Sequence, residues 1–195
     1  MSDLLQEVTG AESSVIVNNN AAAVMLILNT LAQNKEVIVS RGELIEIGGS
    51  FRIPEIMETS GAKMVEVGTT NKTRISDYEK AINENTKIIL KVHRSNYFIG
   101  GFTEEAEIKD LSELAKKHNL ILVYDQGSGL LRKPEKLPLQ DEPDVKSALS
   151  DGADIVCFSG DKLLGAVQAG IIVGKKRYLS LISKSPLMRV LRVSK

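Results

Sequence analysis

Short apolar runs rich in β-branched residues alternate along this chain with longer stretches in which apolar positions return every three to four residues. A brief β-branched run bounded by polar residues has the length of a buried strand, whereas the longer period lays an apolar stripe along a helix. Strands are accordingly predicted at residues 36–40, 63–67, 87–92, 120–124, 155–158 and 169–173, and helices at 20–32, 53–59, 76–83, 105–118, 144–150 and 175–182. Alternation of the two at this pitch predicts an α/β fold on a mostly parallel, doubly wound sheet of about six to seven strands. The last run differs: only about ten residues separate Phe158 from Ala169, too few for a crossover helix, so 169–173 is expected to run antiparallel.

No internal repeat or low-complexity tract interrupts the pattern, and residues 1–195 read as a single domain. Residues 131–143, with Pro134, Pro138, Pro143 and mixed charges, read as an exposed loop. The first residues resemble the middle of a helix, and 186–195 stop within an amphipathic pattern. Together these ends lead us to expect either a domain cut from a longer protein or a chain that has lost its neighbours.

Composition narrows the function classes. With 43% hydrophobic and 26% charged residues the chain is a folded globular protein, neither disordered nor fibrous. Twenty-five basic against 25 acidic side chains give zero net charge, which argues against a simple polyanion-binding module. The average hides a gradient: Lys175, Lys176, Arg177, Lys184, Arg189, Arg192 and Lys195 crowd the C-terminal end with no acid, leaving −7 on residues 1–174. That end is a candidate anion site. Cys157 is alone, so neither a disulfide framework nor a cysteine metal cluster is expected. No apolar run reaches the length of a membrane span and no targeting segment is visible, so a cytoplasmic protein without a membrane partner is expected. Aromatic residues are only 4% and Trp is absent, which disfavours base-stacking surfaces.

In an open α/β sheet ligands bind beyond the carboxyl ends of the strands. Those ends here carry Asn18-Asn19-Asn20-Ala21-Ala22-Ala23, Ser40-Arg41-Gly42-Glu43, His93-Arg94-Ser95-Asn96, Asp125-Gln126-Gly127-Ser128-Gly129 and Ser159-Gly160-Asp161-Lys162. Nucleotide fingerprints fail, because no G-x-G-x-x-G follows a strand and Gly160-Asp161-Lys162-Leu163 lacks the glycine spacing and hydroxyl of a P-loop. Gly127-Ser128-Gly129 is not a nucleophile elbow. Neither histidine has a helical partner of metal-ligand spacing, so no metal is expected. What remains is Lys162 after a late strand, Ser159 three residues before it, and Asp125 at the end of another strand. Pyridoxal phosphate needs such groups: a lysine for the Schiff base, an acid for the pyridine nitrogen and a helix N-terminus for the phosphate. The run 18–23 supplies the third, since small residues let backbone N–H groups of a first helical turn approach an anion.

The motifs VNNNAAAV, SRGELIEIGGSFRIP, VEVGTTNKT, KVHRSNY, YDQGSG, FSGDKLLG and LMRVLR, in this order, resemble the catalytic domain of the bacterial selenocysteine synthases, the L-seryl-tRNA(Sec) selenium transferases. These are fold-type-I pyridoxal phosphate enzymes, and the likeness covers nearly the whole chain. The resemblance implies that residues 1–195 are the catalytic large domain, without the N-terminal tRNA-reading domain and the C-terminal small domain of intact members. It implies Lys162 as the Schiff-base lysine and Asp125 as the pyridinium partner. Ser159, Asn19, Asn20 and Ala21 match the phosphate cup, and His93 and Asn96 match groups presented to the cofactor ring and its phenolic oxygen. Arg189 and Arg192 match arginines that hold the selenium donor; their spacing of three puts both on one helix face, suited to gripping an oxyanion. The implied reaction converts seryl-tRNA(Sec) to selenocysteinyl-tRNA(Sec) with selenophosphate, through an aldimine and an aminoacrylyl intermediate, in homo-oligomers whose active sites lie between subunits.

The chain departs from the family pattern after the lysine, where Ala166-Val167 replaces Gly-Pro; an alanine forced into a glycine conformation would cost about 1 kcal/mol or more. Two other functions stay open: a related pyridoxal phosphate lyase acting on a small amino acid or amino-sugar acid, and a non-catalytic oligomerisation remnant. Plainer roles also stand beside the sharp ones. His93 reads equally as a hydrogen-bonded strand-end histidine, Arg189 and Arg192 as a solvated helix face, and residues 18–20 as an N-cap. His118 reads as a helix C-terminal cation and Cys157 as a buried strand residue.

Overall fold

The computed structural model describes residues 2–134, 139 and 141–193. Their elements run α1 (Ser2–Thr9), β1 (Ser13–Val17), α2 (Asn20–Ala32), β2 (Glu36–Ser40), a 3-10 turn (Arg41–Glu43), β3 (Glu46–Gly48), β4 (Phe51–Arg52), α3 (Ile53–Thr59), β5 (Lys63–Val67) and α4 (Ile75–Ala81). There follow β6 (Thr86–Val92), α5 (Ile108–Lys117), β7 (Ile121–Gly127), α6 (Val145–Ser150), β8 (Ile155–Ser159), β9 (Gly170–Gly174), α7 (Lys176–Ile182) and α8 (Leu187–Val190). Among the described residues one seven-stranded sheet has the order β1-β9-β8-β7-β6-β2-β5, with β3 and β4 as a separate small hairpin. Strands β2, β5, β6, β7 and β8 pair in parallel, while β9 pairs antiparallel with β8 and with β1. The reversal of β9 is the one expected from the short link after Phe158.

The central strands are apolar on both faces because helices cover both. Ile88, Leu90, Ile121, Val123, Ile155 and Ile172 face one side, against α2, α3 and α7. Alternate residues face the other way: Ile89 and Leu122 pack with α4 and α5, while Tyr124, Val156, Phe158 and Val173 pack with α1 and α6. Helix α2 carries much of the first layer, with Leu26, Ile27 and Leu28 all fully buried. Each such side chain contributes about 1.5–3 kcal/mol of apolar burial. Asn19 starts α2 as a true N-cap, its Oδ1 accepting from Ala22 N at 2.8 Å. The neighbouring strand fixes where this helix begins: a Cβ on Gly170 would stand 2.0 Å from Asn19 O. Glycine at 170 therefore lets β9 run hard against the start of α2.

Three features were not fully anticipated. Strand β1, whose end before Asn18 was read but whose span was not, is a half-buried edge strand of five residues with its apolar signal merging into the polar cap behind it. The β3–β4 hairpin is too short and too exposed to have a period. Residues 131–143 are only partly the exposed loop expected of them. Leu130 O and Leu131 O accept from Val145 N and Lys146 N at 2.9 and 3.1 Å, and Leu139 and Glu142 are half-buried; residues 135–138 and 140 lie outside the described residues. Among the described residues no helix is long and apolar enough to cross a membrane.

Candidate functional site

A cavity of about 490 Å³ opens at the carboxyl ends of β6, β7 and β8. Asp125 reaches it from β7, His93 and Asn96 from the turn after β6, Ser159 from the end of β8, Lys162 from the loop beyond β8, and Asn20 from the first turn of α2. An adjoining cavity of about 310 Å³ shares Asn20, Ser159 and Lys162 and adds Asn19, Ala21 and Phe51. The tertiary structure thus brings together all eight residues assigned to a cofactor from the sequence. It does so because a doubly wound sheet gathers the loops after its parallel strands at one edge.

Asp125 is the electrostatic centre. It is 4% exposed, and its Oδ1 accepts from Asn20 Nδ2 at 2.8 Å. Burial pushes its pKa up to about 6, against the hydrogen bond from Asn20, the charge of Lys162, the thiol of Cys157 and the backbone at Gly127. Lys162, by contrast, is exposed. Its loop is held by Leu163 N donating to Ser128 O at 2.9 Å and by Ala166 N donating to Gly160 O at 2.8 Å. His93 Nε2 stands 3.2 Å from Glu142 Oε1 without hydrogen-bond alignment. Burial pushes the His93 pKa below its ordinary value, against the charge of Glu142. Asn96 Nδ2 donates to Glu46 O at 2.9 Å, tying the turn after β6 to the β3–β4 hairpin.

One cavity residue keeps a buried polar atom without a hydrogen-bond partner, Asn20 Oδ1, while His93 Nε2 and Glu142 Oε1 face one another at 3.2 Å. Buried polar groups are normally satisfied, so the open Asn20 oxygen is available to a polar ligand. The donor set fits an aromatic, anionic aldehyde cofactor: a buried carboxylate for a ring nitrogen, an accessible amine, and helix amides beside Ser159 for a phosphate.

The comparisons with known proteins decide the kinship. The sequence model of the family SelA, L-seryl-tRNA selenium transferase, matches residues 1–195. The chain belongs to the L-seryl-tRNA selenium transferase family. The L-seryl-tRNA(Sec) selenium transferase of Alkaliphilus oremlandii (strain OhILAs) is 55% identical over 195 residues, all of this chain and 42% of that protein. That of Aquifex aeolicus (strain VF5) is 58% identical over 192 residues, 98% of this chain and 42% of its own. This selenium transferase family member therefore spans about two fifths of the length of these curated relatives. Among solved structures, D-glucosaminate-6-phosphate ammonia-lyase superposes with a TM-score of 0.81 at 23% identity, over 99% of this chain and 52% of that one. A protein assigned as O-acetylhomoserine (thiol)-lyase from Campylobacter jejuni, which carries an N′-pyridoxyl-lysine-5′-monophosphate, superposes with a TM-score of 0.67 at 23% identity, over 94% of this chain and 41% of that one. These two likenesses establish the fold.

Within this family member, several sequence expectations are refined. Asn20, matched to the phosphate cup, commits its amide to Asp125. Helix α8 ends at Val190, so Arg192 lies beyond it and the shared helix face expected for Arg189 and Arg192 does not form. Both arginines are exposed and border neither cavity, although Asn18 N donates to Leu191 O at 2.9 Å and docks their segment against the approach to α2. Lys195 of the basic end lies outside the described residues. In the lysine loop the left-handed position is Gly165, at φ 69°, while Ala166 has no positive φ, so the alanine carries no backbone strain. Sequence reasoning missed Glu142, Leu139, Ile45 and Ile47, which complete the cavity from segments with no strand-end signal. It also missed the buried ion pair of Lys91 Nζ and Glu43 Oε1, 3.1 Å apart. Glu43 Oε2 accepts from Val92 N at 2.9 Å, locking the turn after β2 against the end of β6. That pair had no signal beyond a lysine inside an otherwise apolar strand.

Proposed function

We propose that this chain is the catalytic large domain of a pyridoxal phosphate-dependent selenium transferase, which converts seryl-tRNA(Sec) to selenocysteinyl-tRNA(Sec) with selenophosphate as donor. Family membership over the whole chain supports the substrate class. The observation that carries the chemistry is one cavity bordered by buried Asp125, exposed Lys162 and the N-terminus of α2.

When bound, pyridoxal phosphate supplies an electron sink for charge developing at an amino-acid Cα. The residues would divide the remaining work. Lys162 would hold the cofactor through Nζ, and the same amine is placed to take the Cα proton of the seryl group. Asp125 would balance the charge of the ring nitrogen. The first-turn amides of α2, with Asn19, Ala21 and Ser159 around them, receive the phosphate. His93 and Asn96 orient the ring. Arg189 and Arg192, which border neither cavity of this chain, would serve the selenium donor's oxyanion at a site shared between subunits. The proposal includes a cytoplasmic homo-oligomer. Phe51, Leu163 and Val167, 64%, 46% and 79% exposed, supply apolar surface around the lysine loop and second cavity for a neighbouring subunit.

Titration with pyridoxal phosphate tests the reading directly. The expected result is a visible absorbance band that borohydride fixes to Lys162 and that Lys162→Ala lacks. A band unchanged in Lys162→Ala overturns it. Selenium incorporation into seryl-tRNA(Sec), assayed on the full-length parent, tests the substrate; turnover of free serine-like compounds with none on the charged tRNA favours a lyase.

A further inference from the structure

Asp125 is gripped from two sides by groups to which the reading above gives no task. Asn20 opens α2 directly after the Asn19 cap, and its Nδ2 donates to Asp125 Oδ1 at 2.8 Å. Cys157 is the register partner of Asp125 across the parallel β7–β8 pairing and is fully buried, which places its thiol beside the carboxylate. Accepting the reading that a pyridine ring lies against Asp125, we propose that Asn20 and Cys157 are positioning residues that keep the carboxylate ionised and in one orientation. Asn20 then serves the carboxylate rather than the phosphate cup.

The physical need is clear. A buried carboxylate is driven to take up a proton, and a neutral acid cannot balance a protonated ring nitrogen. Donors to the ionised form oppose that drive, because a hydrogen bond to a charged acceptor is stronger than one to a neutral acid. The two donors also register the site mechanically. Through Asn20 the carboxylate is linked to the helix terminus that receives the phosphate, and through Cys157 to the strand that ends at Ser159 and leads into Lys162. The other groups acting on Asp125 are Lys162 from the loop beyond β8 and the backbone at Gly127 on its own strand, with His93 and Glu142 across the cavity.

The test follows the Asp125 side-chain carboxyl by ¹³C NMR in cofactor-free protein, comparing the parent with Asn20→Ala, Asn20→Asp and Cys157→Ala, each checked for fold by circular dichroism. The parent should titrate near 6. Asn20→Ala should raise the midpoint by about one pH unit. Asn20→Asp, which keeps the side-chain size and adds a competing carboxylate, should raise it further. Cys157→Ala should shift it the same way by less, because a thiol is a weak donor. Affinity for inorganic phosphate should be unchanged in Asn20→Ala. A midpoint that stays put in both Asn20 variants overturns the inference, and a concurrent loss of phosphate affinity returns Asn20 to the cup. A parent that fails to bind pyridoxal phosphate defeats the function proposed above and leaves this titration equally readable.

Discussion

Asp125 and Lys162 border one cavity from opposite physical surroundings. Asp125 sits at the end of a strand flanked by strands on both sides, 4% exposed, with its carboxylate held by Asn20 and Cys157 beside it on the neighbouring strand. Lys162 lies in an exposed loop whose Leu163 and Val167 are 46% and 79% exposed, turned at Gly165. The difference matches the tasks. A group that balances a fixed charge must be oriented before a ligand arrives, and the close-packed sheet supplies that rigidity. A group that binds and lets go must move, and a loop with few buried contacts lets it.

The contrast can be attacked first at Asp125. Its carboxyl has a folded-state pKa of about 6, above the ordinary 3.8, so the native state keeps a proton that the unfolded chain has already lost. Stability therefore falls as pH rises through that window, by about 3 kcal/mol in all, and is flat above it. Asp125→Asn should remove most of this slope in urea unfolding measured from pH 3.5 to pH 8; an undiminished slope would mean that the buried carboxylate is not its source. Next comes the wall that holds the cup. Gly170→Ala drives a Cβ toward Asn19 O and should cost about 2–3 kcal/mol of unfolding free energy while weakening phosphate binding at the start of α2. The lysine loop should respond far less. Ala166→Gly should destabilise by about 0.5 kcal/mol, since the position gains only chain freedom. Lys162→Ala should leave stability within about 0.5 kcal/mol of the parent while abolishing the covalent cofactor adduct. Equal sensitivity of the wall and the loop would erase the distinction.

Much of this was legible in the sequence, for identifiable reasons. Strands such as 36–40 and 63–67 and helices such as 20–32 and 53–59 coincide with the predicted spans because burial on one or both faces writes its period into the residues. The antiparallel β9 followed from chain length alone. Asp125, Lys162, Ser159 and Asn19 stood out because polar residues directly after apolar strands are the ones a sheet edge presents to a ligand. Glu142 and Leu139 did not, because a proline-rich segment reveals nothing of the surface it folds back upon. Arg189 and Arg192 looked like helix neighbours, yet α8 stops after one turn.

By itself the sequence determined the alternation of strands and helices, the reversal before β9, the kinship and the identity of the residues at the strand ends, all of which depend on local pattern or on ordered motifs. Tertiary structure alone decided how those residues are employed. That Asn20 turns its amide to Asp125, that Cys157 stands beside the same carboxylate, and that Glu142 meets His93 across the cavity are contacts between segments far apart in the chain. Such contacts leave no period in a sequence, because only packing of the sheet against α2 and the returning loop brings the partners within reach.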